Sequence, residues 1–214
     1  MRIGWLAAAG VAAGVVFTAG WLVAGLVSRT ADVGRGTLSD LGAATADRPW
    51  IWNSARTVAG VLVVAVSLGV YRRARGLPGA AAGVVLLGLF GAALAAAFVA
   101  RRDCRTTEPA CGTDGEYSWQ HVAHEVASPF GSFGLMIALV VLTRAFAHDP
   151  RLAGLARYSR ATVGAFLVLL VAYLLLEERP GAGISQRLSS LVVFVWLAAV
   201  AYRLDRLAPR AVSS

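Results

Sequence analysis

Six apolar runs, each near the length a helix needs to cross a bilayer, dominate this chain of 214 residues. They cover roughly residues 3–27, 51–71, 79–100, 126–143, 161–176 and 188–202. A hydrocarbon core about 30 Å thick takes about 20 helical residues at 1.5 Å each. The first and third runs reach that length on apolar residues alone. The other four reach it only by drawing in polar residues at one end. Inside lipid every backbone amide must be satisfied within its own segment, which selects helices. The expected fold is therefore all-α: one domain over 1–214, a polytopic bundle of six transmembrane helices at about 3–27, 51–71, 79–100, 120–143, 161–178 and 185–203. The first run exceeds the 7–15 apolar residues of a signal peptide, so a retained helix is expected. Only 15% of the residues are charged, against about 25% in soluble domains, which excludes a soluble enzyme, a disordered chain and a small disulfide scaffold.

The net charge of +8 comes from 20 arginines and no lysine. In a soluble protein that would suggest nucleic acid. Here the arginines sit mostly at the ends of apolar runs, where they set topology, and no nucleic-acid partner is expected. Placing alternate loops on alternate sides gives one side 11 Arg against Asp149 and Asp205, and the other 9 Arg against ten acids. The positive side should be cytoplasmic, with both termini. Cys104 and Cys111, the only cysteines, then fall in the same outer loop, where a disulfide is plausible and two separate thiols are the alternative. The spacing is not that of a zinc Cys-x2-4-Cys pair.

Counting about 20 residues outward from each cytoplasmic arginine anchor gives an asymmetric result. Asn53, Arg56, His124, Glu125, Gln186 and Arg187 fall within or at the edge of the outer leaflet. Asp103, His121, Glu177 and Glu178 lie just at or beyond it. The inner leaflet holds almost no such groups. Charges at membrane depth are costly unless they pair or line a wet cavity, and they mark candidate sites.

Within this collar, His121-x-x-His124-Glu125 places one carboxylate and two imidazoles on one helical face. His121 and His124 could hold zinc, with Asp103 or Glu177 completing the shell, or could act as acid and base without metal. The motif is loose, and interfacial histidines satisfied by water fit it equally. Arg56 and Arg187 suit a phosphate or carboxylate through the planar guanidinium fork, or ion pairing within the bundle. Trp50, Trp52 and Trp119 read as an aromatic belt, and Pro129 should kink the fourth helix just below the histidines.

Leu38-Ser39-Asp40-Leu41-Gly42, then Asn53 and Gly60, Asp103 closing the third helix, a histidine opening the fourth, and Gly183-x-x-Gln186-Arg187-Leu188 before Trp196 form a pattern along nearly the whole chain. It resembles the bacterial domain-of-unknown-function 998 family of six-helix membrane proteins. It is similar, more distantly, to a eukaryotic six-helix family related to autophagy modulators and glycolipid-anchor remodelling factors. The resemblance implies a fold and a bacterial plasma-membrane location, and no activity. By position it singles out Asp40, Asn53, Asp103, His121 or His124, and Arg187. This chain departs from the pattern in its longer third loop around the cysteines and in having two histidines for one place.

The leading expectation is a site at the outer helix ends that binds a membrane lipid or isoprenoid-like amphiphile. Arg56 and Arg187, with Asn53, Gln186 and Asp40, would meet the headgroup. The alternative is a lipid hydrolase using His121, His124, Asp103 and Glu177, with zinc as a candidate cofactor held by His121, His124 and Asp103. A third reading is a structural or chaperone subunit with a membrane-protein partner.

Overall fold

In the computed structural model, residues 4–29, 31–108, 111, 117–176 and 179–207 are described. Among them are six long helices and no strand. They are α1 (Trp5–Val27), α2 (Pro49–Ala74), α3 (Ala80–Ala95), α4 (Trp119–Ala147), α5 (Ala153–Leu175) and α6 (Ala182–Leu207). Each of the six, with the short 3-10 turns that extend α3 and α5, is long and apolar enough to cross a membrane. The protein is a multi-pass membrane protein.

The helices run past the apolar runs where polar residues are tolerated at an interface. α5 starts at Ala153 instead of near residue 161, because Leu155, Ala156 and Ser159 continue its buried face below the arginines. α4 starts at Trp119, where the Ser118 hydroxyl accepts a hydrogen bond from the His121 amide and caps the helix. α2 begins with Pro49, whose fixed φ and missing N–H cost nothing at a first helical turn. Gly79, at φ 75°, makes the tight reversal from α2 into α3 that a side chain would strain.

Each helix packs on the next in sequence, α6 closes the ring on α1, and α2 also touches α6. The core is built from Trp52, Val63, Leu87, Leu139, Phe146 and Trp196, all essentially inaccessible. The Trp196 indole N–H donates to Ser159 Oγ at 2.9 Å, so this buried tryptophan has its partner. α2 and α3 approach closely because Gly60 and Gly91 face each other; a Cβ on Gly60 would run into the backbone of Gly91 and Ala95.

Both ends of the described chain lie at one end of the bundle. There Arg73 pairs with Asp205 at 2.9 Å, Trp5 lies under the Arg73 guanidinium, and Gly4 abuts Asp205. The opposite end carries the α1–α2, α3–α4 and α5–α6 connections and is called the collar end below.

Candidate functional site

The collar end is built around one buried carboxylate. Asp40 lies on the short 3-10 turn Ser39–Gly42 and is 4% exposed. Its oxygens accept from the Thr37 amide at 2.8 Å, the Thr106 amide at 3.0 Å, the Thr106 hydroxyl at 2.7 Å and Arg102 Nη1 at 3.3 Å. Every acceptor direction of the carboxylate is used, as a buried charge requires. Asp40 thereby ties the α1–α2 loop to the α3–α4 loop.

Arg187 does the same from α6. It is 5% exposed, and Nη1 donates to the carbonyls of Val33, Gly36 and Gly183 at 3.2, 2.9 and 2.8 Å. Its guanidinium also lies 5.7 Å from the centre of the Trp21 ring, in cation–π range. The next residue up, Gln186, accepts the Leu38 amide at 2.6 Å, and Asn53 Nδ2 donates to the Gly42 carbonyl at 3.1 Å. The loop comes this close only because residue 183 is glycine; a Cβ there would collide with the Gly36 and Val33 carbonyls. So Asp40, Asn53, Gln186 and Arg187, each a ligand-binding candidate from sequence, all grip the α1–α2 loop in this structure. Of the four, Gln186 also lines the large cavity beneath the loops.

The α3–α4 loop is held by similar means. Asp103 accepts from the Ser118 amide at 2.7 Å and hydroxyl at 2.6 Å. Burial alone would raise its pKa; the two Ser118 hydrogen bonds, with His121 and Arg101 nearby, outweigh that and hold it below the usual carboxylate range. Glu108 is lowered in the same way, burial being outweighed by Arg105 and Thr45. Cys104 and Cys111 form a disulfide with Cα atoms 5.6 Å apart. Arg102 runs between the loops and α4, contacting Glu125 at 2.7 Å and Asp40 at 3.3 Å. Its burial disfavours the charge, but those two carboxylates outweigh it and raise the pKa further. Arg102, Thr37 and Thr106 are residues that sequence reasoning missed. They belong to no helix pattern, and their signal is only positional.

The two histidines differ in kind. His121 Nδ1 accepts the Asp103 amide at 3.1 Å, which leaves the proton of the neutral ring on Nε2, 3.8 Å from Glu125. Tyr117 stacks on this ring at 4.0 Å. His124 Nδ1 lies 3.3 Å from the Ala100 carbonyl, which can only accept. That assigns the proton to Nδ1 and the lone pair to Nε2, and Nε2 is buried without a partner. Among the described residues, no three His, Cys, Asp or Glu side chains are grouped as metal ligands. Glu177 and Glu178 lie outside the described residues.

Beneath the loops is a cavity of about 330 Å³ lined by all six helices. Its floor is apolar: Phe17, Trp52, Phe90, Leu135, Phe166 and Phe194. Phe17 links two of these walls, with ring centroids 4.9 Å from Trp52 and 4.3 Å from Phe194. Its upper wall carries Arg56, Arg102, His124, Glu125, Gln186, Ser189 and Ser190. Of the sequence candidates, Arg56, His124 and Gln186 therefore share this space, whereas Asp40, Asn53, Asp103, His121 and Arg187 frame it from outside. Arg102 is matched by Asp40 and Glu125, but Arg56 makes no ion pair or hydrogen bond among the described residues. Among the described residues, Arg56 is thus a positive charge at the polar end of the cavity with no ion-pair partner.

The family described as "Protein of unknown function (DUF998)" matches residues 11–203. The chain belongs to that family. No curated protein and no solved structure matches it.

Proposed function

We propose that this DUF998 protein binds an anionic amphiphile in the cavity at the collar end of its helices. The observation that carries this reading is Arg56. An arginine on a membrane-crossing helix is costly unless something compensates it. Here no carboxylate among the described residues pairs with it, the nearby Glu125 being engaged by Arg102, and the side chain lines a cavity with an apolar floor. An incoming phosphate or carboxylate would supply the missing charge through the planar guanidinium fork. The floor of aromatic and aliphatic side chains would receive hydrocarbon.

The orphaned buried atoms refine the ligand. His124 Nε2 needs a donor and Trp52 Nε1 needs an acceptor. Both residues line the cavity, so a headgroup with an anionic oxygen and a hydroxyl or protonated oxygen would serve both once a small side-chain shift uncovers these buried atoms. That His124 lone pair also favours a second reading, acid–base chemistry on a bound lipid, in which His124 would take a proton from an attacking water. The charge asymmetry of the loops supports placing the collar end outside the cell, so the ligand would come from the outer leaflet of a bacterial plasma membrane.

The test is saturable binding of a single-chain alkyl phosphate to the protein in nanodiscs of neutral lipid. Binding by the parent protein and its loss in Arg56→Leu at unchanged thermal stability support the reading. Equal binding by both proteins, or none by the parent, rejects it.

A further inference from the structure

The cavity is too small for a whole two-chain lipid. At about 330 Å³ it sits at the low end of the ~300–1,000 Å³ typical of small-ligand pockets. It has room for a headgroup and the first part of one chain, so the rest of any long tail must leave it. Where the cavity meets the protein surface therefore decides what it can hold.

That surface is confined to one seam. The lining residues of α1, α2, α3 and α6 are buried or only partly exposed. The exposed lining residues are Glu125, Ser128, Pro129 and Phe133 on α4 and Leu174 on α5. Phe133 is 57% exposed and Leu174 52%, although both also line the cavity. The same stretch of α4 is thin. Gly131 lines the cavity with Phe90 alone at the edge of contact, and Gly134 has open space where a side chain would stand. Pro129 cannot donate to the Glu125 carbonyl one turn before it, so the helix is locally unlocked at this level. Around the seam the exposed neighbours are Phe130, Ile137 and Leu175, a surface made for hydrocarbon and not for water.

We infer that the α4–α5 seam is a lateral opening through which one hydrocarbon chain of an anionic amphiphile lies, with its headgroup at Arg56 and its tail end in the bilayer. This rests on the amphiphile-binding reading above and adds to it the route and the number of chains. On α4 the polar residues follow the same order, because Glu125 and Ser128 stand nearer the collar end than Phe133, while Leu174, one residue before the collar-end terminus of α5, flanks the polar end of the seam. A chain anchored by Arg56 passes from polar to apolar surroundings as it leaves. A phosphate and a carboxylate headgroup are equivalent at Arg56, so the probe is tried with each.

The experiment uses the full chain in neutral-lipid nanodiscs and two sixteen-carbon probes, an alkyl phosphate and a fatty acid, each with a diazirine at the tail end. After photolysis the labelled positions are mapped by mass spectrometry, with and without an excess of the unlabelled compound. The expected result is competable label on α4 and α5 around Phe133 and Leu174, at least fivefold above that at Leu89 of α3 and Val195 of α6, which are equally exposed. It should vanish in Arg56→Leu and fall at least fivefold in Gly131→Trp, which adds bulk on the cavity side of α4 opposite Phe90. Label at only one of the two probes' tails would name the headgroup. Competable label spread evenly over the apolar surface, with binding still dependent on Arg56, overturns the lateral opening and leaves the cavity reading intact. No competable label with either probe, together with no saturable binding, overturns both.

Discussion

Asp40 and Arg102 meet at 3.3 Å across the junction of two loops that are 62 residues apart in sequence. Both are largely buried, with side chains 6% and 14% exposed. Asp40 is the only member of the pair within a family-like motif, yet it is Arg102 that reaches on to Glu125 and joins the loops to α4. Removing one partner from such a pair strands the other charge. Asp40→Ala is expected to cost about 3–5 kcal/mol of stability. Asp40→Asn keeps the size and one acceptor and should cost less. Thermal unfolding in detergent, read by tryptophan fluorescence, checks both; a change below about 1 kcal/mol for Asp40→Ala would show that the loops are held elsewhere.

Arg187 should behave as a structural residue. Its Nη1 satisfies three carbonyls, so Arg187→Met leaves Val33, Gly36 and Gly183 without that donor. Unsatisfied buried groups cost about 1–3 kcal/mol each, less what water recovers, so a loss of about 3 kcal/mol is expected. Proteolysis within the α1–α2 loop should become faster at the same time. Arg187→Lys should recover only part of the stability, because the lysine ammonium ends one bond short of the Nη1 position that meets the three carbonyls.

Acid should loosen the α3–α4 loop. Asp103 and Glu108 have folded pKa values below their ordinary ones. A depressed carboxylate contributes stability that is fully present above its unfolded pKa, about 4, and is lost as pH falls through the lower folded value. The stability gap between the parent and Asp103→Asn is therefore expected to be constant from about pH 7 to pH 5 and to narrow as the pH falls below about 4. A gap that widened towards acid would contradict the assignment. In a parallel measurement, reducing the Cys104–Cys111 bond, which closes a short loop of sequence separation 7, should cost roughly 2 kcal/mol.

The helices were legible because their cause is local: apolar length reports a bilayer span whatever the neighbours do. The level of the collar was legible for the same reason, since a residue's depth follows from counting along one helix. What each collar residue touches was not. Arg56 and Arg187 look alike in sequence, each about one turn inside an apolar boundary. One faces a cavity and the other grips Val33 and Gly36, and that difference is set by how the α1–α2 loop folds back over α6. Likewise His121 and His124 compete for one motif position, and only the Asp103 amide against the Ala100 carbonyl assigns their tautomers. Loop contacts between distant segments carry no periodicity, so Arg102 and Thr106 left no trace to read.

Arg56 gives the sharpest contrast with this framework. Its charge lies in the cavity wall with no partner among the described residues, so its removal relieves a cost instead of stranding a partner. Arg56→Leu is expected to unfold at the same temperature as the parent or higher, where Asp40→Ala and Arg187→Met unfold lower. The same change should weaken alkyl phosphate binding about 10- to 100-fold, the range of a charge-assisted hydrogen bond of about 1.5–3 kcal/mol. Arg56→Lys should lie between, because it keeps the charge and loses the fork. Denaturation curves and binding isotherms on the same nanodisc samples read both effects together. A destabilised Arg56→Leu with unchanged binding would make Arg56 one more part of the frame and remove the main support for a ligand in the cavity.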